Sequence, residues 1–443
     1  MSDGTFRSLR NPSYRTWFAG SLVSNIGTWV QRTAQDWLVL TKLTHEDAAA
    51  VGITLAFQFG PVLLMMPIAG LIADRVNRRR MLFITQLSMG ILGLGLGLIV
   101  VTNVATLYEV YGFAFALGVV SAIDMPVRQT FVSEIVDEKQ IPNAVALNSA
   151  AFNSARLIGP GIAGLLIAAI GSGWVFLINA ASFAATLLAL ALMHVGELRA
   201  SSRPPRAPGQ IREGWRYVAS RPDIVIVLVM MSLVGTFGVN FPIFTSTMAL
   251  SFHQGANGYG LLSSVMAIGS VLGSLMAARR EKPRIVVIGL ASLGFGLSML
   301  ASAIMPTYWS FAAVLIVVGL SALTMMTSAN AYVQTTTTPS MRGRVMALYM
   351  AIFAGTTPLG APLVGWIANV AGPRWAIAVG AASGLAAAAV ALGWMIVTNR
   401  LRLRRDTTAR FGLAFSYNHN TRIRSRRRNA EDLSTTEIAI QRG

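Results

Sequence analysis

The chain has 443 residues, of which 54% are hydrophobic and 12% charged; its formal net charge is +18 and it has no cysteine. A soluble protein carries about a quarter of its residues charged, so a soluble globular class is excluded. Disulfides, thiolate metal sites and cysteine nucleophiles go with the cysteine, and His45, His194, His253 and His419 are too scattered to hold a metal.

The charges cluster, leaving apolar stretches of roughly 20 residues or more, enough to cross a hydrocarbon core of about 30 Å. The start, MSDGTFRSLRNPSYRTWFAG, is polar and basic. The apolar segment that opens at Trp17 is too long for a signal h-region and reads as the first span. Twelve spans are expected, at 16–40, 49–73, 81–103, 106–127, 143–170, 173–195, 223–250, 257–279, 284–305, 308–330, 344–370 and 373–398. Their connections alternate in charge. One set holds Arg7, Arg10 and Arg15, then Arg75 to Arg80, Arg128 and Lys139, the arginines of 199–221, Arg279 to Arg284, and Arg342 with Arg344. The other holds only Lys42 and Arg374. The positive-inside rule puts the basic set, and both termini, in the cytoplasm of a cell (inner) membrane. Basic loops facing anionic lipid then explain the net charge, and no nucleic-acid partner is expected.

Residues 196–222 form the longest internal loop: a Pro-rich linker, SSRPPRAPGQ, and then IREGWRYVASRPD. The second part predicts an amphipathic surface helix anchored by Trp215 and Tyr217. The loop divides the chain into a six-helix unit at 1–195 and another at 223–398, followed by a basic tail at 399–443 that reads as disordered. The halves resemble each other. At an offset of 201, Gly159 and Gly164 of the fifth span fall over Gly360 and Gly365 of the eleventh. Parallel repeats of this kind point to a transporter built from two related bundles.

Several charges lie inside the spans. From Trp17, at about 1.5 Å per residue, Arg32 is ~22 Å deep and Asp36 ~28 Å, and Arg156 is ~20 Å into the fifth span. Arg32 and Asp36 are four apart and share a helix face. Intramembrane charge is a functional-site hypothesis by default. Two roles are open to Asp36: a proton carrier, or a fixed partner for one or both arginines. Glu109, near the outer end of the fourth span, is either an interfacial group or an alternative proton site. Gln58, Asn179, Asn240 and other polar residues either line a cavity or join helices.

Gly70, Asp74, Arg75, Arg78, Arg79 and Arg80 occur in one order between the second and third spans, with Asn77 among them. This segment resembles the loop 2–3 signature of the major facilitator superfamily, G-x-L-a-D-r-x-G-r-k, with Asn77 where the family usually has Gly. Asn tolerates a left-handed backbone, so the departure is mild. The resemblance implies that Asp74 and Arg78 pair with an acid at the cytoplasmic end of the fourth span. Asp124 is the candidate, and the three would form a gate lock helped by the start of the eleventh span. Gly159, Pro160, Gly161 and Gly164 resemble the G-P-x-x-G-G element of drug/proton antiporters. Residues 27–40, 123–153, 213–224 and 338–349 are similar to the enterobactin-exporter and macrolide-efflux branch.

The expected fold is therefore all-α and membrane-embedded, with twelve helices in two pseudo-symmetric six-helix bundles. The expected activity is secondary transport by alternating access: proton-coupled efflux of a small amphipathic molecule, drug-like or siderophore-like, by a monomer. No enzyme activity, cofactor or metal is expected, and no G-x-x-x-x-G-K-[ST] loop for ATP occurs. Uptake or lysolipid flipping on the same fold is the alternative. A receptor or membrane enzyme is a more distant one, because neither clustered intramembrane acids and histidines nor a large soluble domain is present.

Overall fold

The computed structural model describes residues 6–193, 210–278 and 284–398, and two short strands at 401–405 and 413–417. Six long helices come first: α1 (Pro12–Leu38), α2 (Ala48–Arg75), α3 (Arg78–Val101), α4 (Leu107–Ile135), α5 (Ile141–Ile170) and α6 (Ser172–Leu192). A short helix, α7 (Gln210–Ala219), precedes the second set: α8 (Pro222–Leu233), α9 (Phe241–Ser251), α10 (Ala256–Ala278), α11 (Ile285–Ile304), α12 (Tyr308–Thr336), α13 (Arg342–Ala371) and α14 (Pro373–Val397).

Local chemistry sets the starts of these helices. Asn11, Asp47 and Asn77 each accept a backbone N–H from the first turn of α1, α2 and α3. Thr106 with Glu109, and Thr307 with Ser310, form reciprocal capping boxes on α4 and α12. Asn77 therefore differs from expectation. Its φ of −67° is extended, not left-handed, and its side chain is used as a helix cap.

Among the described residues, eleven helical segments are long and apolar enough to span a membrane. The expected first span, α1, falls short of that apolarity because Gln31, Arg32, Gln35 and Asp36 sit in its second half. It is the twelfth by position, packed against α5 and α6. Large apolar side chains such as Ile91, Leu188, Leu290 and Leu363 stay exposed on the outward faces. A soluble monomer does not leave so much contiguous apolar surface open, whereas lipid covers it. The expected seventh span is broken: α8 runs into a π-turn at Val234–Gly238, and the chain restarts at Phe241-Pro242 as α9.

Helices α1–α6 form one bundle and α8–α14 the other. They meet along two seams, α2 against α13 and α5 against α10. The repeat explains both. Gly159 lies against Trp29 of α1, and its counterpart Gly360 against Thr236 beside the π-turn. Gly164 and Gly365 instead face the opposite bundle, at Gly260 and Ala48.

Helix α7 lies where the pattern predicts one, but of its two aromatic residues Tyr217 has different work. Trp215 is exposed, whereas the Tyr217 hydroxyl accepts hydrogen bonds from Arg221 (3.1 Å) and the Thr338 amide (3.3 Å). Glu213 pairs with Arg344 at 2.7 Å, which ties α7 to the start of α13. In the tail, where disorder is expected, Leu401–Arg405 and Leu413–Tyr417 pair as an antiparallel ribbon with Leu401 opposite Tyr417. The rest of the tail, and the Pro-rich linker, lie outside the described residues.

Candidate functional site: a charged cavity between two bundles

A cavity of about 300 Å³ lies between the bundles at mid-height. Its first wall comes from α1 (Trp29, Arg32, Thr33, Asp36), α2 (Leu55, Gln58, Phe59) and α5 (Arg156, Leu157, Pro160). Val239, Phe241 and Pro242, at the break after the π-turn, form part of the second wall with Tyr259, Met266, Met326 and Thr357. The three intramembrane charges read from the sequence therefore face one space.

Their environments differ. Asp36 is 2% exposed. It accepts one long hydrogen bond, 3.5 Å, from Gln58, which also donates to Gln35 at 3.4 Å. Gln35 in turn donates to the Val110 carbonyl of α4 at 3.1 Å, so the amide chain fixes the height of the carboxylate. Arg32 lies over the rings of Phe59 (4.6 Å) and Trp29 (5.4 Å), with its Nε shielded and unpaired. Among the described residues, no ion pair closes on Arg32, Asp36 or Arg156. Asp36 feels the charge of Arg32 through space, whereas among the described residues no acid acts on Arg156. The fixed ion pair considered for helix α1 is thus not formed.

The cavity is closed at one end. Trp37 of α1 stacks on Tyr259 of α10, with ring centroids 5.6 Å apart at 16°. A Cβ added to Gly164 would fall 2.6 Å from the Ala256 carbonyl oxygen and 2.7 Å from the Gly260 Cα, so this seam admits only glycine. Gly161 abuts Ser264, Gly52 abuts Ala361, and Pro160 lines the cavity directly. Asn369 donates to Asp47 at 2.5 Å and accepts from the Ala48 amide at 2.8 Å. All these contacts lie at the end carrying the short, nearly uncharged loops. Towards the basic end, Val145 and Phe152 of α5 and Met350 of α13 are exposed.

Arg78 pairs with an acid at the end of α4, as the motif implies, but the acid is not the expected Asp124. The side chains of Gly70, Asp74 and Arg75 lie outside the described residues. Arg78 pairs with Glu134, not Asp124. Asp124 pairs with Arg128 at 2.9 Å and accepts hydrogen bonds from Thr85 (2.6 Å) and Gln86 (2.8 Å). Height explains the correction. Asp124 meets α3 seven to eight residues beyond Arg78, about 11 Å along the axis, whereas Glu134 lies at the same end as Arg78. Arg79 donates to the Leu190 carbonyl from Nε (2.9 Å) and from an Nη (2.6 Å), capping the end of α6. Glu109 is not in the cavity. It is exposed and closes the α4 capping box with Thr106 at 2.8 Å.

The second wall was missed by sequence reasoning. Its Phe and Met residues look like lipid-facing ones, and the signal for the break was Phe241-Pro242 after Gly235 and Gly238. Of the polar candidates, Gln58 lines the cavity. Asn179 instead donates to Gln31 at 2.5 Å, joining α6 to α1, and Asn240 donates to the Thr236 carbonyl at 2.8 Å beside the π-turn.

Two six-helix bundles related by a repeat, with a charged cavity between them sealed at one end, define a multi-pass membrane transporter. The chain belongs to the major facilitator superfamily: residues 3–409 match the family described as transmembrane secretion effector. It is a transporter of efflux-type kinship and not an enzyme. It is 24% identical to the staphyloferrin A transporter of Staphylococcus aureus, over 88% of this chain and 97% of that one. It is 27% identical to the multidrug efflux pump Tap of Mycobacterium tuberculosis (82% and 89% covered). It is 24% identical to the enterobactin exporter EntS of Shigella flexneri (90% and 94% covered). Among solved structures, the nucleoside transporter NupG superposes with a TM-score of 0.70 at 12% identity, covering 86% of this chain and 99% of that one. A bacterial homologue of the lysosomal transporter Spinster, inward-facing and unoccupied, superposes at 0.64 with 16% identity, covering 86% and 95%.

Proposed function

We propose that this protein is a proton-coupled exporter of a small amphipathic molecule, working by alternating access in the bacterial inner membrane. The observation that carries the proposal is Asp36: a buried carboxylate in the central cavity with no ion pair. Such a group takes up a proton from one side and releases it to the other as the bundles rock. The efflux-type relatives support the direction. The basic loops support a cytoplasmic position for the open end, so cargo loads from inside while Trp37, Tyr259 and the Gly164–Gly260 contact hold the outer end shut. The bonds of Arg78 to Glu134 and of Arg79 to α6 join α3 to its neighbours at the inner end, where Asp74 also lies on α2. These are the groups proposed to rearrange when that end closes.

The test uses inside-out membrane vesicles and a panel of fluorescent amphipathic compounds. A compound that accumulates in vesicles with an acidic lumen, and leaks out when the gradient is collapsed, supports proton-driven export. Accumulation in right-side-out vesicles alone makes the protein an importer. Transport unchanged in Asp36→Asn at every pH removes Asp36 from the mechanism.

A further inference from the structure

We propose that the cargo is an anion: an apolar body carrying a carboxylate-like acidic group, held between Arg32 and Arg156. The proposal deepens the transporter reading and rests on it. The cavity wall carries two guanidinium groups and one carboxylate, so it keeps an excess of positive charge whether or not Asp36 holds a proton. Charge in a low-dielectric space calls for a counter-charge. Among the described residues Arg156 has none, and none reaches contact with Arg32. The guanidinium carbon of Arg32 lies 4.6 Å from the ring centroid of Phe59 and 5.4 Å from that of Trp29, and its Nε is buried with no acceptor among the described residues. Stacking uses the face of a guanidinium and leaves its N–H edge for an acceptor, and a carboxylate fits that edge with two parallel bonds. A cation entering the same space would add to the excess.

The opposite wall indicates the rest of the molecule. Its serine and threonine hydroxyls already donate to backbone carbonyls: Thr245 to Phe241 at 2.7 Å, Ser263 to Tyr259 at 3.1 Å, Ser270 to Met266 at 3.0 Å and Thr357 to Gly235 at 3.2 Å. What that wall presents is mainly Phe241, Pro242, Met266, Leu323 and Met326. An acid directed to α1 and α5, with a flat or flexible apolar body against α9 and α10, matches both faces. A volume of about 300 Å³ suits a small molecule of that form.

The test compares three probes with one apolar body: 1-pyrenebutyrate, 1-pyrenebutanamide and 1-pyrenebutylamine. Binding to the purified full-length protein is read from pyrene and tryptophan fluorescence. The acid is expected to bind about tenfold to a hundredfold more tightly than the amide, and the amine most weakly. Arg156→Gln and Arg32→Gln are each expected to bring the acid close to the amide while leaving the amide unchanged. Asp36→Asn is expected to tighten the acid further. If Arg32→Gln fails to fold because its aromatic stack is lost, Arg156→Gln carries the test, since that side chain has no bond to lose. Equal binding of the three probes, preference for the amine, or no binding of any probe at millimolar concentration overturns the anion. In proteoliposomes the two readings separate. Acid-selective binding without gradient-driven movement of pyrenebutyrate keeps the anion site and overturns proton-coupled export. Gradient-driven movement of the amine in preference to the acid does the reverse.

Discussion

Helices α5 and α13 are copies at a spacing of 201 residues, and their glycines do matching work. Gly159 and Gly360 admit the first helix of their own bundle, at Trp29 and Thr236; Gly164 and Gly365 admit the opposite bundle, at Gly260 and Ala48. Three residues before the first glycine of each pair the copies diverge. Arg156 faces the cavity from α5; Thr357 faces the same cavity from α13 and donates to the Gly235 carbonyl at 3.2 Å. The pattern extends beyond this pair, because Arg32 and Asp36 also belong to the amino-terminal bundle, and among the described residues the carboxy-terminal wall has none that is charged. Duplication preserved the positions where backbones touch, since any side chain there would part the helices. It left the cavity-facing positions free, and charge collected on one side. One bundle then sets the electrostatics, and the other can move as an apolar wall without dragging a charge through a low-dielectric space.

The largest expected effect breaks that asymmetry at its centre. Asp36→Asn is expected to reduce gradient-driven transport to background while the protein still inserts and folds, because Gln58 can bond an amide as well as a carboxylate. Transport and its pH dependence in proteoliposomes measure this directly. The next contrast is between the copies. Arg156→Thr, which makes α5 resemble α13, is expected to weaken binding of an acidic ligand about tenfold or more, the loss of a charged hydrogen bond of about 1.5–3 kcal/mol. Thr357→Val is expected to change binding less than about threefold and stability by about 1 kcal/mol. Similar losses from both would mean that the two walls share recognition.

Much of this was legible in the sequence, for identifiable reasons. Span number follows from the apolar stretches that the charged loops separate. The meeting of Arg32, Asp36 and Arg156 followed from depth alone, since helices of fixed rise in parallel bundles put equal depths together. Partner choice across helices was not legible: Arg78 could be matched to Asp124 by motif, but only the register of α3 against α4 selects Glu134. The apolar wall was also hidden, because Met266 or Met326 beside a cavity has the same composition signature as a methionine beside lipid. Of the two roles open to Glu109, the interfacial one was readable locally, because Thr106-x-x-Glu109 is a capping-box pattern.

A smaller effect tests the shared half of the comparison. Gly164→Ala places a methyl 2.6 Å from the Ala256 carbonyl oxygen, and Gly365→Ala does the equivalent against Ala48. Each is expected to destabilise the state closed at the neutral end by about 1–3 kcal/mol, as overpacking does. The chain has no cysteine, so Thr245→Cys can serve as a single reporter in the cavity. Its labelling from the neutral side should rise in both glycine variants. A rise in only one would show that the α2–α13 and α5–α10 seams do not act as equivalents.

The smallest expected effect lies outside the cavity. Glu109 is an intramembrane-edge carboxylate of the same bundle as Asp36, yet it is exposed and bonded to the Thr106 amide and hydroxyl at 2.8 Å and 3.0 Å. Those bonds satisfy helix-end donors, so Glu109→Ala is expected to lower stability by about 0.5–1 kcal/mol. Transport and its pH dependence should stay as they are. A thermal-unfolding shift of a degree or two with unchanged transport would separate a carboxylate that caps a helix from one that carries a proton. A lost pH dependence would instead move the coupling site from the cavity to the neutral end of α4, where no arginine faces it among the described residues, and would remove the reason for placing Asp36 beside Arg32.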